Sequence, residues 1–169
     1  MKATMKKAPY VKTLSALVLL LSSALSAAAT VEVSWDDPKD FKDIRVTNDN
    51  KARFQARVIE ELEEQFREEG EKLPAGQTLH VTVHDVDLAG DIEYFHRGYP
   101  FGLRVVRNVD FPTIELSYEL KDANDRVIKS GDEKIRDLNF KTPVLTTWKQ
   151  DPFRYEHQLI RDWYNTEFQ

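Results

Sequence analysis

The densest group of chemistry-bearing side chains lies between residues 80 and 96, where His80, His84, Asp85, Asp87, Asp91, Glu93 and His96 follow one another closely. Clustered carboxylates and imidazoles suit two kinds of chemistry: holding a hard or borderline cation, and paired acid and base work. The spacing restrains both readings. On an extended strand, positions four apart lie about 13 Å from each other, so His80 and His84 do not share one ion unaided. The Asp85, Asp87, Asp91 run also falls short of the length and closing glutamate of a helix-loop-helix calcium site. The plainer expectation is that Asp85 or Asp87 accepts backbone N–H bonds at a bulge while Ala89-Gly90 makes a tight turn. Asp85, Asp87 and Asp91 therefore stand as an alternative metal site, serving a metal-binding protein or a metal-dependent hydrolase.

A second group follows at once. Tyr94, Phe95, Tyr99 and Phe101 are interleaved with His96, Arg97, Arg104 and Arg107, and Gly98, Pro100 and Gly102 shape the backbone between them. Aromatic and arginine side chains are the usual anchors of interfaces, able to stack on a ligand or to grip an anionic group. Tyr94, Phe95, Arg97, Tyr99, Phe101, Arg104 and Arg107 are accordingly the candidate binding residues. Folding back as a lid on the core is the competing role for this loop. Leu103 to Val106 could add an edge strand. Nucleophilic catalysis has no signature here: cysteine is absent, no Gly-x-Ser-x-Gly elbow occurs, and Ser34, Ser117 and Ser130 fall in predicted strands without a nearby histidine motif. A triad assembled from distant parts lies beyond what one sequence reveals. No cofactor motif stands out, and the balance leans away from an enzyme.

The elements that must position these groups are legible from periodicity. Val31 to Trp35 alternates apolar and polar residues and predicts a strand closed by Asp36-Asp37-Pro38. Phe54, Val58, Leu62 and Phe66 recur every four residues and predict an amphipathic helix. Asn48, Asp49 or Asn50 would cap its start, and Gly70 would supply a left-handed cap at its end. Leu79, Val81 and Val83 predict a second strand whose phase slips near Asp85. Ile114 to Leu120 and Arg126 to Ile135 predict a hairpin around Asp122-Ala123-Asn124-Asp125, with a bulge at Gly131. Asp151-Pro152 predicts the cap and first turn of a closing amphipathic helix that carries Phe153, His157, Ile160, Trp163 and Tyr164. The fold class expected is α+β: a two-layer sandwich of a mostly antiparallel or mixed sheet with two amphipathic helices on one face.

The first 29 residues have a different logic. Lys2, Lys6, Lys7 and Lys12 precede an apolar run from Leu14 to Leu21 and a small-residue stretch ending at Ala29, the order of a cleavable signal peptide. A single domain over residues 30 to 169 remains, without cysteine and hence without disulfides or a lipid-anchoring thiol. It keeps 20 Lys and Arg against 29 Asp and Glu, a net charge of −9, which disfavours nucleic acid and anionic lipid as partners. No membrane anchor is expected after cleavage.

Four segments together resemble the domain of unknown function 3016 family. They are Val33-Ser34-Trp35-Asp36-Asp37-Pro38, Leu73-Pro74-Ala75-Gly76-Gln77-Thr78-Leu79, Asp85-Val86-Asp87-Leu88-Ala89-Gly90-Asp91, and a helix ending in Asp162-Trp163-Tyr164. The resemblance covers essentially the whole mature chain. It implies a small exported protein of a Gram-negative bacterium, set in the periplasm, and it brings no catalytic residue or ligand with it. The expectation is an exported binding or accessory module that meets an envelope protein or a small periplasmic ligand through residues 92 to 108.

Overall fold

A computed structural model describes residues 28–44, 50–94, 98, 102–140 and 151–169. The predicted signal peptide lies almost wholly outside them, as do Phe95, Arg97, Tyr99 and Phe101. The described part is α+β. In chain order it runs β1 (Thr30–Trp35), α1 (Lys51–Gly70), β2 (Thr78–Asp87), β3 (Asp91–Glu93), β4 (Leu103–Val105), β5 (Thr113–Lys121), β6 (Val127–Arg136) and α2 (Arg154–Phe168). A four-stranded sheet has the order β1-β2-β5-β6, and β3 with β4 forms a separate two-stranded sheet. The larger sheet is mixed, because β1 pairs parallel to β2 while the other pairs are antiparallel. The α1 crossover makes that parallel pairing possible.

Alternation decides which side of each strand is buried. Leu79, Val81 and Val83 of β2 are buried with Leu116, Tyr118 and Leu120 of β5. They share one core with Phe54, Val58, Leu62 and Phe66 of α1 and with Leu159, Ile160, Trp163 and Tyr164 of α2. The intervening residues keep solvent contact, so a polar row crosses the other side of the sheet in register: Ser34 beside Thr82, Thr82 beside Ser117, Ser117 beside Asp132.

The phase slip expected near Asp85 is present. The β2–β5 register shifts between Val83 and Asp85, leaving His84 as the extra residue of a bulge. Three local expectations need correction. Gly131 marks no bulge, for it pairs in register with Tyr118, and the shift in that hairpin lies next to the turn, at Leu120/Lys121. Glycine stands at 131 because a Cβ there would approach the Tyr118 ring to 3.0 Å. Gly70 is the buried last residue of α1 rather than a left-handed cap, and a Cβ on it would collide with the Val31 side chain. Lastly, α2 starts at Arg154, after Phe153, which makes no side-chain cap. Asp151 still orders that end: its Oδ1 accepts the Phe153 N–H at 2.7 Å and its Oδ2 meets His157 Nδ1 at 2.8 Å. Of the three capping candidates for α1, Asn50 takes the role, its Oδ1 accepting the Arg53 N–H at 3.2 Å.

Candidate functional site

The β3–β4 hairpin is anchored by two polar ties, through Asp43 beside the main sheet and through Glu156 of α2, and closed by a third contact of its own. Arg104 of β4 donates from Nη1 to Asp43 Oδ2 at 3.0 Å and to the Gly90 carbonyl at 2.8 Å. Asp43 is itself locked in place: its N–H donates to the Val86 carbonyl at 3.1 Å and its carbonyl accepts the Leu88 N–H at 3.2 Å. At the hairpin's root, the Ala89 N–H donates to Glu156 Oε1 of α2 at 2.7 Å. Gly90 completes the corner. Its φ of 87° is the left-handed turn that glycine tolerates, and a Cβ there would press on the Val105 carbonyl at 2.8 Å.

Under this hairpin lies a cleft of about 420 Å³. Its floor is the end of the sheet, where Asp87 of β2, Thr113 of β5 and Arg136 of β6 stand in one row and Asp85 and Lys134 belong to the next. Its walls are Lys42, Asp91 and the Val109–Phe111 segment. The three aspartates singled out in the sequence therefore line one cleft, as neighbours rather than as a ligand set. Asp85 Oδ1 accepts the Lys42 N–H at 2.6 Å, Asp87 pairs with the Lys42 ammonium, and Asp91 Oδ1 accepts the Ile92 N–H at 2.7 Å. The hydrogen bond it donates to Asp87 holds the Lys42 ammonium above its ordinary pKa. Among the described residues, no group of three or more His, Asp or Glu side chains is placed to hold a metal ion.

The loop candidates divide. Tyr94 is exposed at the tip of β3. Arg104 is engaged internally, as above, and Arg107 pairs with Glu93 and, at 3.5 Å, with Asp110. Both arginines thus brace the hairpin that overhangs the cleft. Phe95, Arg97, Tyr99 and Phe101 belong to the part of the loop outside the described residues.

Two features escaped the sequence reading. The first is Glu156, fully buried, whose Oε2 has no hydrogen-bond partner among the described residues. Burial pushes its carboxyl above the ordinary glutamate range, against the opposing pull of the Ala89 N–H. A carboxyl raised in the folded state contributes stability that is fully present below its unfolded value, near pH 4.5, and is withdrawn as the pH rises through the folded value. Glu156→Gln keeps an acceptor for Ala89 and removes the ionisation. Urea unfolding from pH 4 to pH 8 should therefore show the wild type losing stability relative to Glu156→Gln as the pH rises; parallel profiles would contradict this.

The second is a hydrogen-bonded chain on the solvent side of the sheet. His84 Nδ1 lies 2.9 Å from Asp36 Oδ2, and its Nε2 lies 2.9 Å from Ser117 Oγ. The members are 48 and 33 residues from His84 in sequence, so no motif announces them. The phase slip that marks His84 as the bulged residue was the one available signal.

Residues 29–166 match a family model described as a protein of unknown function, DUF3016. No curated protein matches the sequence. Among solved structures the chain is similar to a PelC dodecamer from Paraburkholderia phytofirmans, at 15% identity over 81% of this chain and 82% of that one, with a TM-score of 0.31. A likeness that distant carries no argument. No helix among the described residues is long and apolar enough to cross a membrane. The family match spans the strands, both helices and the hairpin-covered cleft alike, and the chain belongs to the DUF3016 family.

Proposed function

We propose that this is an exported, periplasmic binding or accessory module, released by cleavage of the segment 1–29, that recognises a small ligand or an extended peptide in the cleft beneath the β3–β4 hairpin. We read its fold as a two-layer sandwich in which both amphipathic helices cover one side of the sheet and leave the other available. The observation that carries the reading is the cleft, whose volume of about 420 Å³ falls in the range of small-molecule sites. Its lining includes an exposed Val109, and Tyr94, exposed at the end of β3, stands at the base of the aromatic and arginine-rich loop. Arg136 and Asp91 in its lining offer opposite charges to a zwitterionic or peptide-like ligand, while Lys134 is paired with Glu115. The Lys42–Asp87 pair fills the acidic corner, so a cation is the less fitting occupant.

A ligand that binds only the folded protein raises its unfolding temperature. Thermal unfolding against a panel of short peptides and amino-acid derivatives should give a saturable rise for at least one class, and Arg136→Ala together with Tyr94→Ala should abolish it while the unliganded transition is unchanged. A panel that leaves the transition unmoved in the wild type would remove the cleft as a site for such ligands.

A further inference from the structure

The geometry points to a second site, a serine hydrolase-like centre built from Ser117, His84 and Asp36, acting on short-chain acyl esters of polar, hydroxyl-rich alcohols. Three elements assemble it. Ser117 lies in the middle of β5. His84 is the extra residue of the β2 bulge, which turns its ring toward Ser117 one step along the neighbouring strand. Asp36 follows β1, and its N–H donates to the Val83 carbonyl at 3.0 Å, extending the parallel ladder by one bond and fixing the carboxylate beside His84. Each contact is 2.9 Å, and because the Asp36 carboxylate only accepts, a neutral imidazole donates to it from Nδ1–H and is left to accept the Ser117 hydroxyl at Nε2, the tautomer that catalysis needs.

The step balances with water as the only co-reactant. Ser117 Oγ attacks the acyl carbon as its proton passes to His84 Nε2. The tetrahedral intermediate then collapses, the ester C–O bond breaks, and the departing alkoxide takes the proton from the imidazolium. Water, deprotonated by Nε2, attacks the acyl-serine, releases the carboxylic acid and restores the hydroxyl. Ser117 sits in an interior strand paired on both edges, so its backbone donors are committed to the ladder. That leaves a side-chain hydroxyl as the oxyanion donor, a role assigned to Thr82, the β2 residue paired with Ser117 in register. The substrate class follows from the surroundings. Ser117 lines an open concavity of about 730 Å³ together with Ser34, Thr82, Glu119, Ser130 and Asp132. These hydroxyls and charges suit a polyhydroxylated alcohol and leave no apolar channel for a long acyl chain.

The test uses the purified protein with p-nitrophenyl acetate, p-nitrophenyl decanoate and a fluorophosphonate probe. The acetate should be hydrolysed, and the decanoate should be hydrolysed more slowly. The probe should mark Ser117 by peptide mass spectrometry. Ser117→Ala should abolish labelling, and His84→Ala should lower acetate turnover by at least about 100-fold. Thr82→Val should lower kcat with Ser117 still labelled. His84 is exposed, so its substitution leaves the fold intact even where Ser117→Ala perturbs the central strand. No labelling of Ser117 in the wild type, or turnover retained in His84→Ala, would overturn the assignment. Faster decanoate than acetate hydrolysis would overturn the substrate class. Neither result bears on ligand binding in the cleft.

Discussion

Replacing Arg104 by alanine should cost about 3–5 kcal/mol of stability, because it removes a guanidinium bound to a buried carboxylate. Asp43 is almost fully enclosed, with a side chain 6% exposed, and the Arg104 guanidinium beside it is 23% exposed. Taking the cation away does not return Asp43 to water, since its backbone stays bound to β2 through Val86 and Leu88. The same substitution frees the Gly90 carbonyl. Urea unfolding would measure the loss. The Arg104→Ala/Asp43→Ala double variant should recover part of it, because the buried carboxylate is removed together with the guanidinium. Hydrogen exchange offers a local reading: amides of 91–93 and 103–105 should lose protection before those of β2 and β5, since the hairpin forms its own small sheet. A loss below about 1 kcal/mol, as for an exposed pair, would show the tie to be dispensable.

That result bears on what the sequence could tell. Arg104 reads as a binding anchor because arginine among aromatics is the composition of an interface, yet its partner Asp43 lies 61 residues away in a stretch with no periodic pattern. Long-range ion pairs leave no local trace. Elements with periodic burial did leave one: β2, β5 and α1 were legible from the spacing of Leu79, Val81 and Val83, of Ile114 to Leu120, and of Phe54 to Phe66. The glycines were legible as special positions and misread as to cause. Gly70 and Gly131 are determined by side chains packed on them from other elements, Val31 and Tyr118, and not by backbone conformation. The site followed the same rule. Asp85, Asp87 and Asp91 were recognised as neighbours because they are close in sequence, whereas Lys134 and Arg136 reach the cleft through sheet pairing. Asp36, His84 and Ser117 meet only because one bulge in β2 changes which way a histidine faces.

The largest loss expected from a single core truncation is at Trp163. Its indole lies edge-on to three rings, Phe66 at 5.9 Å, Tyr118 at 5.5 Å and Phe168 at 5.5 Å between centroids, so it joins α1, β5 and the end of α2. Trp163→Ala should lose about 3–5 kcal/mol, the transfer free energy of the indole plus the cavity left behind. Trp163→Phe should behave differently. The Nε1–H of Trp163 is buried and has no hydrogen-bond partner among the described residues, so it contributes a desolvation cost of about 1–3 kcal/mol and no compensating bond. A phenyl ring keeps the edge-on contacts and removes that donor, and its smaller volume opens a lesser cavity. The two effects oppose, and Trp163→Phe should lose less than half of what Trp163→Ala loses. Urea midpoints at constant slope would decide it. Equal losses in the two variants would mean that the indole N–H is engaged in the folded protein and that α2 is held to the sheet by a bond as well as by packing.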